Sequence, residues 1–344
     1  MTDQQWESLL AVLRGASSNP LPTGFIVDSP WLPNWAGHTI LDYFTDECAF
    51  FDDNIKAHAA FPRTLFLPGF WSEYGMCTEP SAFGAVEIWG ENEFPSAMRV
   101  LRSPADIDLL EPPDPRRHGL LPFVVKRLKH LEPKMLAAGH RVRFAVARGP
   151  LNIASFLMGT TEFMMALHTD PEAAHRLLTL ITDFLVEWIA AQREAFPSID
   201  GLLVLDDIVG FVGPRDFDAF ALPYLERMFK ADVAVKFFHN DAPCKTCAPH
   251  LAGIGVNLLN FGIQHTLNDM RKWTGGAITL LGNVPPRDVL AAGTPEDVTC
   301  CVREMLGAVE DRSRLIVSCA GGMPPGVPTA NIQALVDAVD GFGN

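Results

Sequence analysis

Two kinds of stretch alternate along this chain. Short continuous apolar runs recur at residues 24–27, 64–67, 142–146, 201–205, 233–238, 255–259, 277–281 and 315–318. Between them lie longer stretches with apolar residues at helical spacing, the first at residues 3–13 and the longest at 173–196. Several of these carry helix-start signals: Asp170-Pro171-Glu172, Thr294-Pro295-Glu296-Asp297, Ser103-Pro104 and Thr329. Each sets a capping side chain ahead of the first turn, in three cases with proline at the first helical position. Continuous apolar strands separated by helices predict a parallel sheet covered on its outer face. Eight such units predict a single (β/α)8 barrel over residues 1–344, with an N-terminal helical extension and a long loop insertion after the second strand. The proline-rich segment 111–117 has strands on both sides and reads as an insertion, not a domain boundary.

In such barrels the active site is built at the C-terminal ends of the strands, so the residues just beyond each apolar run are the ones to weigh. The fifth run, Val235-Lys236-Phe237-Phe238, stops abruptly at His239-Asn240-Asp241. His239 and Asp241 are two residues apart and in an extended chain point the same way. Alone, the pair is either a histidine held by a carboxylate or half of a metal site. The other strand ends supply Asp28, Pro68-Gly69-Phe70-Trp71, Arg148-Gly149-Pro150, Asp206-Asp207, then Gln264 and His265, Asn283 and Cys319. Asp206 and Asp207 are candidates to orient substrate or act as acid and base, or else to cap the following loop. Asn283 positions a ligand or shapes the turn before Pro285-Pro286. Trp31, Trp35, Phe70, Trp71 and Trp89 either wall a substrate pocket or seal the barrel top. Glu79, Glu91 and Glu93 read as solvated loop carboxylates, one of which could supply a proton or a further ligand.

Composition narrows the classes. A hydrophobic fraction of 48% in 344 residues supports a sizeable core. The net charge of −14, with no basic run to offset it, excludes nucleic acid as a partner. No apolar stretch reaches the roughly 18 residues of a membrane span, and the acidic start Met1-Thr2-Asp3 is unlike a signal peptide, so the expectation is a cytoplasmic protein. The seven scattered cysteines suggest reduced thiols. Cys244-Lys245-Thr246-Cys247 has no second pair and reads as two packing cysteines.

Taken together, Gly282-Asn283-Val284-Pro285-Pro286, Gly293-Thr294-Pro295-Glu296, Gly321-Gly322 and Thr329-Ala330-Asn331-Ile332 resemble the C-terminal third of the uroporphyrinogen decarboxylase superfamily. Gly149-Pro150-Leu151-Asn152-Ile153-Ala154-Ser155, Leu205-Asp206-Asp207 and Leu222-Pro223-Tyr224 extend the likeness over residues 60–340, and the superfamily's fold is the same barrel. True decarboxylases carry an arginine-bearing Met-Arg-Gln-Ala-Gly-Arg segment where this chain has Phe25-Ile26-Val27-Asp28-Ser29-Pro30, and an aspartate where it has Pro68. The cobalamin-dependent methyltransferase branch carries a His-x-Cys zinc motif after the fifth strand and a cysteine after the last. This chain is similar at His239 and Cys319, with Asp241 in place of the middle cysteine. That resemblance implies zinc on His239, Asp241 and Cys319 with one open position for the ether, amine or thiol heteroatom of a small methyl donor or acceptor. It also implies a corrinoid (cobalamin), free or on a separate protein, with Asp206, Asp207 and Asn283 beside the substrate. A carboxylate for a thiolate would make the zinc harder and suit an oxygen or nitrogen leaving group. The alternatives are a porphyrinogen decarboxylase and a barrel that binds a small ligand without chemistry.

Overall fold

The computed structural model of the chain describes residues 1–16 and 18–342. Its first helix, α1 (Asp3–Leu13), starts where Thr2 accepts from the Gln5 backbone and the Gln5 side chain accepts from Thr2 in return. The strands are β1 (Thr23–Ile26), β2 (Thr64–Leu67), β3 (Phe144–Arg148), β4 (Gly201–Leu205), β5 (Val235–Asn240), β6 (Leu258–Phe261), β7 (Thr279–Val284) and β8 (Leu315–Cys319). All are parallel in one curled sheet of order β2-β1-β8-β7-β6-β5-β4-β3, with helices between them. This is the TIM-barrel-like architecture that the alternation predicts.

Every expected run becomes a strand, but four of them, β3, β5, β6 and β7, begin and end later than the apolar pattern does. β3 is shifted from 142–146 to Phe144–Arg148, and β5 runs on through His239 and Asn240. The ladder continues into a layer where the side chains have already turned polar, so hydrophobicity ends before hydrogen bonding does. That layer is where the candidate residues sit.

Alternation along the strands sorts the two faces. Ile26, Leu65, Leu67, Phe144, Leu203, Val235, Phe237, Leu258, Leu281 and Ile316 fill the barrel interior with Trp6, Leu9, Val12 and Leu13 of α1. Because Gln5 reaches the Thr64 carbonyl at the start of β2 and Arg314, just before β8, reaches Leu13, α1 closes the N-terminal end of the barrel. Outward residues such as Phe25, Phe66, Ala147, Val204, Phe238, Leu280 and Val317 pack beneath the helices. The long helix expected at 173–196 is observed as Pro171–Ala195, capped by Asp170 on the Ala173 amide at 3.1 Å. Thr294 and Asp297 form a capping box for Pro295–Ala308. Thr329 differs from expectation: it is the first residue of the helix Thr329–Asp340, and its hydroxyl accepts from the Trp35 indole at 2.9 Å.

β2 and β3 do not pair, so the sheet has a seam. Near the barrel floor Thr2 bridges to His140, and the Arg141 amide donates to the Met1 carbonyl at 2.9 Å. At the mouth the seam is crossed by contacts to the side chains of Glu73 and Glu79 in place of a strand ladder. The long connection after β2 contains a two-stranded ribbon, Glu87–Ile88 with Ser96–Ala97. Among the described residues no helix is long and apolar enough to cross a membrane.

Candidate active site

The period of two that places Ile26, Leu205, Phe237, Leu258, Leu281 and Ile316 inside the barrel carries on to Asp28, Asp207, His239, Asn260, Asn283 and Ser318. An apolar interior therefore ends in a polar layer at the C-terminal mouth, the face on which barrel enzymes build their sites.

On the β4–β6 side the centre is His239, 6% exposed. Its Nδ1 lies 2.7 Å from Asn260 Oδ1, and the Asn260 amide donates to the Leu281 carbonyl at 2.9 Å. With its NH2 group so engaged, Asn260 offers His239 an acceptor, which puts a hydrogen on Nδ1 and turns Nε2 to the mouth. There Nε2 is 3.8 Å from Asp207 Oδ1 and 3.8 Å from Asp241 Oδ2. Asp207 also accepts the Asp241 backbone N–H at 2.7 Å, which fixes the turn after β5. Burial alone would lower the His239 pKa, but Asp241, Asp207 and the Asn260 acceptor together raise it above the ordinary histidine value. The surroundings thus stabilise the imidazolium relative to the neutral ring, with the Nδ1 side committed to Asn260 and Nε2 toward the two carboxylates.

The β1–β3 side is built differently. Arg148, at the end of β3, donates to Glu73 Oε2 at 3.0 Å and to Glu79 Oε2 at 3.1 Å, while its backbone N–H donates to Glu79 Oε1 at 2.9 Å. All three residues are buried. Glu73 and Glu79 come from the connection after β2, so these contacts cross the seam where the strands do not pair. Asp28 lies close enough for burial and the Glu73 charge to raise its pKa well above the carboxylate range, against the pull of Arg148.

Other expected site residues have structural duties. Asp206 is wholly buried and accepts from the amides of Leu151 at 2.9 Å and Asn152 at 3.0 Å, capping the helix Pro150–Met158. It faces away from the mouth, which corrects its reading as an acid or base and favours the cap; a Cβ on Gly149 would stand 2.2 Å from its Oδ2. Asn283 donates to the His265 carbonyl at 2.8 Å and so anchors the loop after β6. Trp31 is buried, donates to the Val327 carbonyl at 3.0 Å and stacks on Trp35, so it serves packing, while Trp71 is buried in the barrel interior with Trp6 and Phe144. Trp89 is 40% exposed. Glu79, expected to be a solvated loop carboxylate, is instead an ion-pair partner. Cys244 and Cys247 are buried packing thiols, as the spacing suggested.

Among the described residues no hydrogen bond links the Cys319 thiol to His239 or Asp241. Cys319 follows Leu315 and Val317 on the outward face of β8, its thiol turned to the carbonyls of Gly321 at 3.7 Å and Gly322 at 3.8 Å. Burial, reinforced by the charge of Asp241, pushes that thiol up to about 12. The residue that abuts the pair is Gly321, where a Cβ would come within 2.5 Å of both Asp241 oxygens. Among the described residues no group of three or more histidine, cysteine and carboxylate side chains is arranged to hold a metal ion. As these residues stand, with the Cys319 thiol turned to the carbonyls of Gly321 and Gly322, the donor set that the resemblance implied is not assembled for zinc. Sequence reasoning missed Asn260 and Glu73. Asn260 had a usable signal, an amide two residues beyond Leu258 in a buried strand; Glu73, in a loop, had none.

Comparison with known proteins then places the chain. The family model for uroporphyrinogen decarboxylase (URO-D) matches residues 37–342. The chain belongs to the URO-D family. Curated relatives include the uroporphyrinogen decarboxylases of Syntrophotalea carbinolica, 26% identical over 74% of this chain and 75% of that protein, and of Chlorobium phaeovibrioides, 27% identical over 70% of each. By name, these URO-D relatives are enzymes. A solved methyltransferase from Methanosarcina mazei shares the fold over 98% of both chains, with a TM-score of 0.81 at 20% identity.

Proposed function

We propose that this URO-D family member is a methyl-transfer enzyme that moves a methyl group from an ether or amine heteroatom of a small molecule to a corrinoid. His239 gives the leaving heteroatom a proton. The observation that carries this reading is the presentation of His239 Nε2 at the mouth between Asp207 and Asp241, 3.8 Å from each, with Nδ1 committed to Asn260. The full-length likeness to a methyltransferase supports it. A corrinoid, carried by a separate protein or free, would supply the nucleophile that takes the methyl group. When the carbon–heteroatom bond breaks, its electron pair stays on the oxygen or nitrogen, which is a poor leaving group unless protonated. His239 provides that proton from Nε2, and the two flanking carboxylates favour the imidazolium beforehand. Asn260 is a positioning residue, because it decides which nitrogen faces the substrate.

A second reading, porphyrinogen decarboxylation, is favoured by the names of the curated relatives. The mouth argues against it. Asp28, Glu73, Glu79, Asp207 and Asp241 outnumber Arg148 and His239, and Arg148 is already paired with two glutamates. A polycarboxylate would meet repulsion without a free arginine to receive it. The test incubates the protein with reduced free cobalamin and a panel of methoxylated, methylamino and methylthio compounds, following the demethylated product, with a parallel uroporphyrinogen arm. Cobalamin-dependent demethylation that disappears in His239→Gln supports the proposal. Decarboxylated porphyrinogen with no demethylation of any donor overturns it.

A further inference from the structure

On the β1–β3 side two buried carboxylates, Glu73 and Glu79, share the single buried guanidinium of Arg148, and the half-buried Asp28 lies near enough to feel both Glu73 and Arg148. Glu79 has both oxygens engaged by Arg148. Glu73 does not. Its Oε2 accepts from Arg148, but Oε1 is buried with no partner, and the hydroxyl of the adjacent Ser72 is buried and unpartnered too. Glu73 is 3% exposed, so solvent does not answer for the missing contact. Both residues line a cavity of about 30 Å³ in the seam between β2 and β3, which Thr78 and Gln192 also border. A buried water needs roughly 10–15 Å³ measured this way, so the space admits one or two particles of that size and no organic substrate.

We propose that this cavity binds a compact monovalent cation, held by Glu73 Oε1 and the Ser72 hydroxyl. Oxygen donors suit a hard alkali cation, and equally an ammonium ion that donates hydrogen bonds to the same atoms. The charge surplus of the wall sets the valence: one added positive charge offsets part of it, while a divalent ion would crowd Arg148. In the absence of the cation the surplus is relieved by protons. Burial pushes Glu73 up to about 7, with Arg148 pulling it back and Glu79 adding to the rise, and Asp28 is raised likewise. The Cys77 thiol, pushed up to about 11 by burial, remains neutral and adds no charge. Cation and proton therefore compete for Glu73, and binding strengthens as pH rises past about 7. This inference does not depend on the methyl-transfer reading.

The test is thermal unfolding of the full chain at matched ionic strength in choline, sodium, potassium or ammonium chloride, at about pH 8.5 and about pH 6. The expected result at the higher pH is a midpoint at least about 2 °C above the choline value in one or more of the small cations. The difference should shrink at the lower pH. A gain in the alkali chlorides identifies an inorganic ion, and a gain confined to ammonium identifies a hydrogen-bonding one. Glu73→Gln should abolish the difference; if that variant does not fold, Ser72→Ala, which removes only the hydroxyl, should reduce it. Equal midpoints in choline and every small cation at both pH values would overturn the proposal, as would a cation effect that survives unchanged in Glu73→Gln or Ser72→Ala.

Discussion

The two walls of the mouth hold comparable charge in opposite ways. On the β4–β6 wall the carboxylates of Asp207 and Asp241 are 40% and 51% exposed and flank a buried imidazole. On the β1–β3 wall the carboxylates of Glu73 and Glu79 are buried and grip a buried guanidinium. An imidazole between exposed carboxylates can take up or release a proton at little structural cost. A buried guanidinium cannot lose its charge, so the same pairing becomes a fixed strut. The chemistry is thus expected on one wall and the mechanical closure of the open β2–β3 seam on the other.

The largest effect that would break this division is on activity. His239→Gln should lower methyl transfer by roughly 10²–10⁴-fold, the range for loss of a general acid, while changing stability little. The wild-type rate should fall on the alkaline side, because the acid form is the active one and the His239 pKa is raised. The linked stability has the same sign. The imidazolium's contacts with Asp241 and Asp207 stabilise the fold below the unfolded histidine value and fade as pH rises through the higher folded value. A flat rate profile with an unaffected variant would remove His239 from the reaction.

Next is the strut. Arg148→Ala leaves Glu73 and Glu79 buried without their counter-charge and should cost about 3–5 kcal/mol in denaturant unfolding, as breaking a buried pair from one side does. The loss should ease in acid, where Glu73, raised to about 7, readily takes a proton. If Arg148→Ala changed turnover with unfolding untouched, the walls would have to exchange roles.

Much of this was legible in the sequence, and the reason differs by wall. The eight apolar runs located the strands, and the abrupt stop at His239-Asn240-Asp241 located the polar layer around His239, because a strand imposes a period of two that relates neighbours in sequence to neighbours in space. Asp207 was legible for the same reason; its neighbour Asp206, one residue out of phase, was bound to face the other way, and the pair of aspartates concealed that. The second wall depends on Glu73 and Glu79 returning from a long connection to meet Arg148. No local periodicity encodes that return. Cys319 shows the limit of a motif, since the one-residue phase of a strand decides whether a thiol faces the mouth or the helices.

A substitution at Gly321 tests that phase directly. Gly321 has φ +70°, and a Cβ there would press on both oxygens of Asp241. Gly321→Ala should cost about 1–3 kcal/mol for the left-handed backbone and displace Asp241 from His239, lowering turnover. Asp206→Asn should cost about 1 kcal/mol through the weakened cap on Pro150–Met158 and leave the pH profile of turnover in place, since its carboxylate bonds amides of that helix and not the substrate space.

The smallest expected effect falls on Cys319. Its thiol lies on the outer face of β8, fully buried, with its hydrogen bonds directed to the carbonyls of Gly321 and Gly322. Cys319→Ala removes one buried sulfur and should cost about 1 kcal/mol, the centre of the range for ordinary point changes. Turnover, its pH profile and the metal content of the purified protein should match wild type. The contrast with Gly321→Ala is what carries weight, because the two sites are two residues apart and a ligand role for the thiol would reverse their order. Loss of turnover and of a bound metal ion in Cys319→Ala, with the fold intact, would return the sulfur to the reacting atoms and overturn the assignment of the acid chemistry to His239.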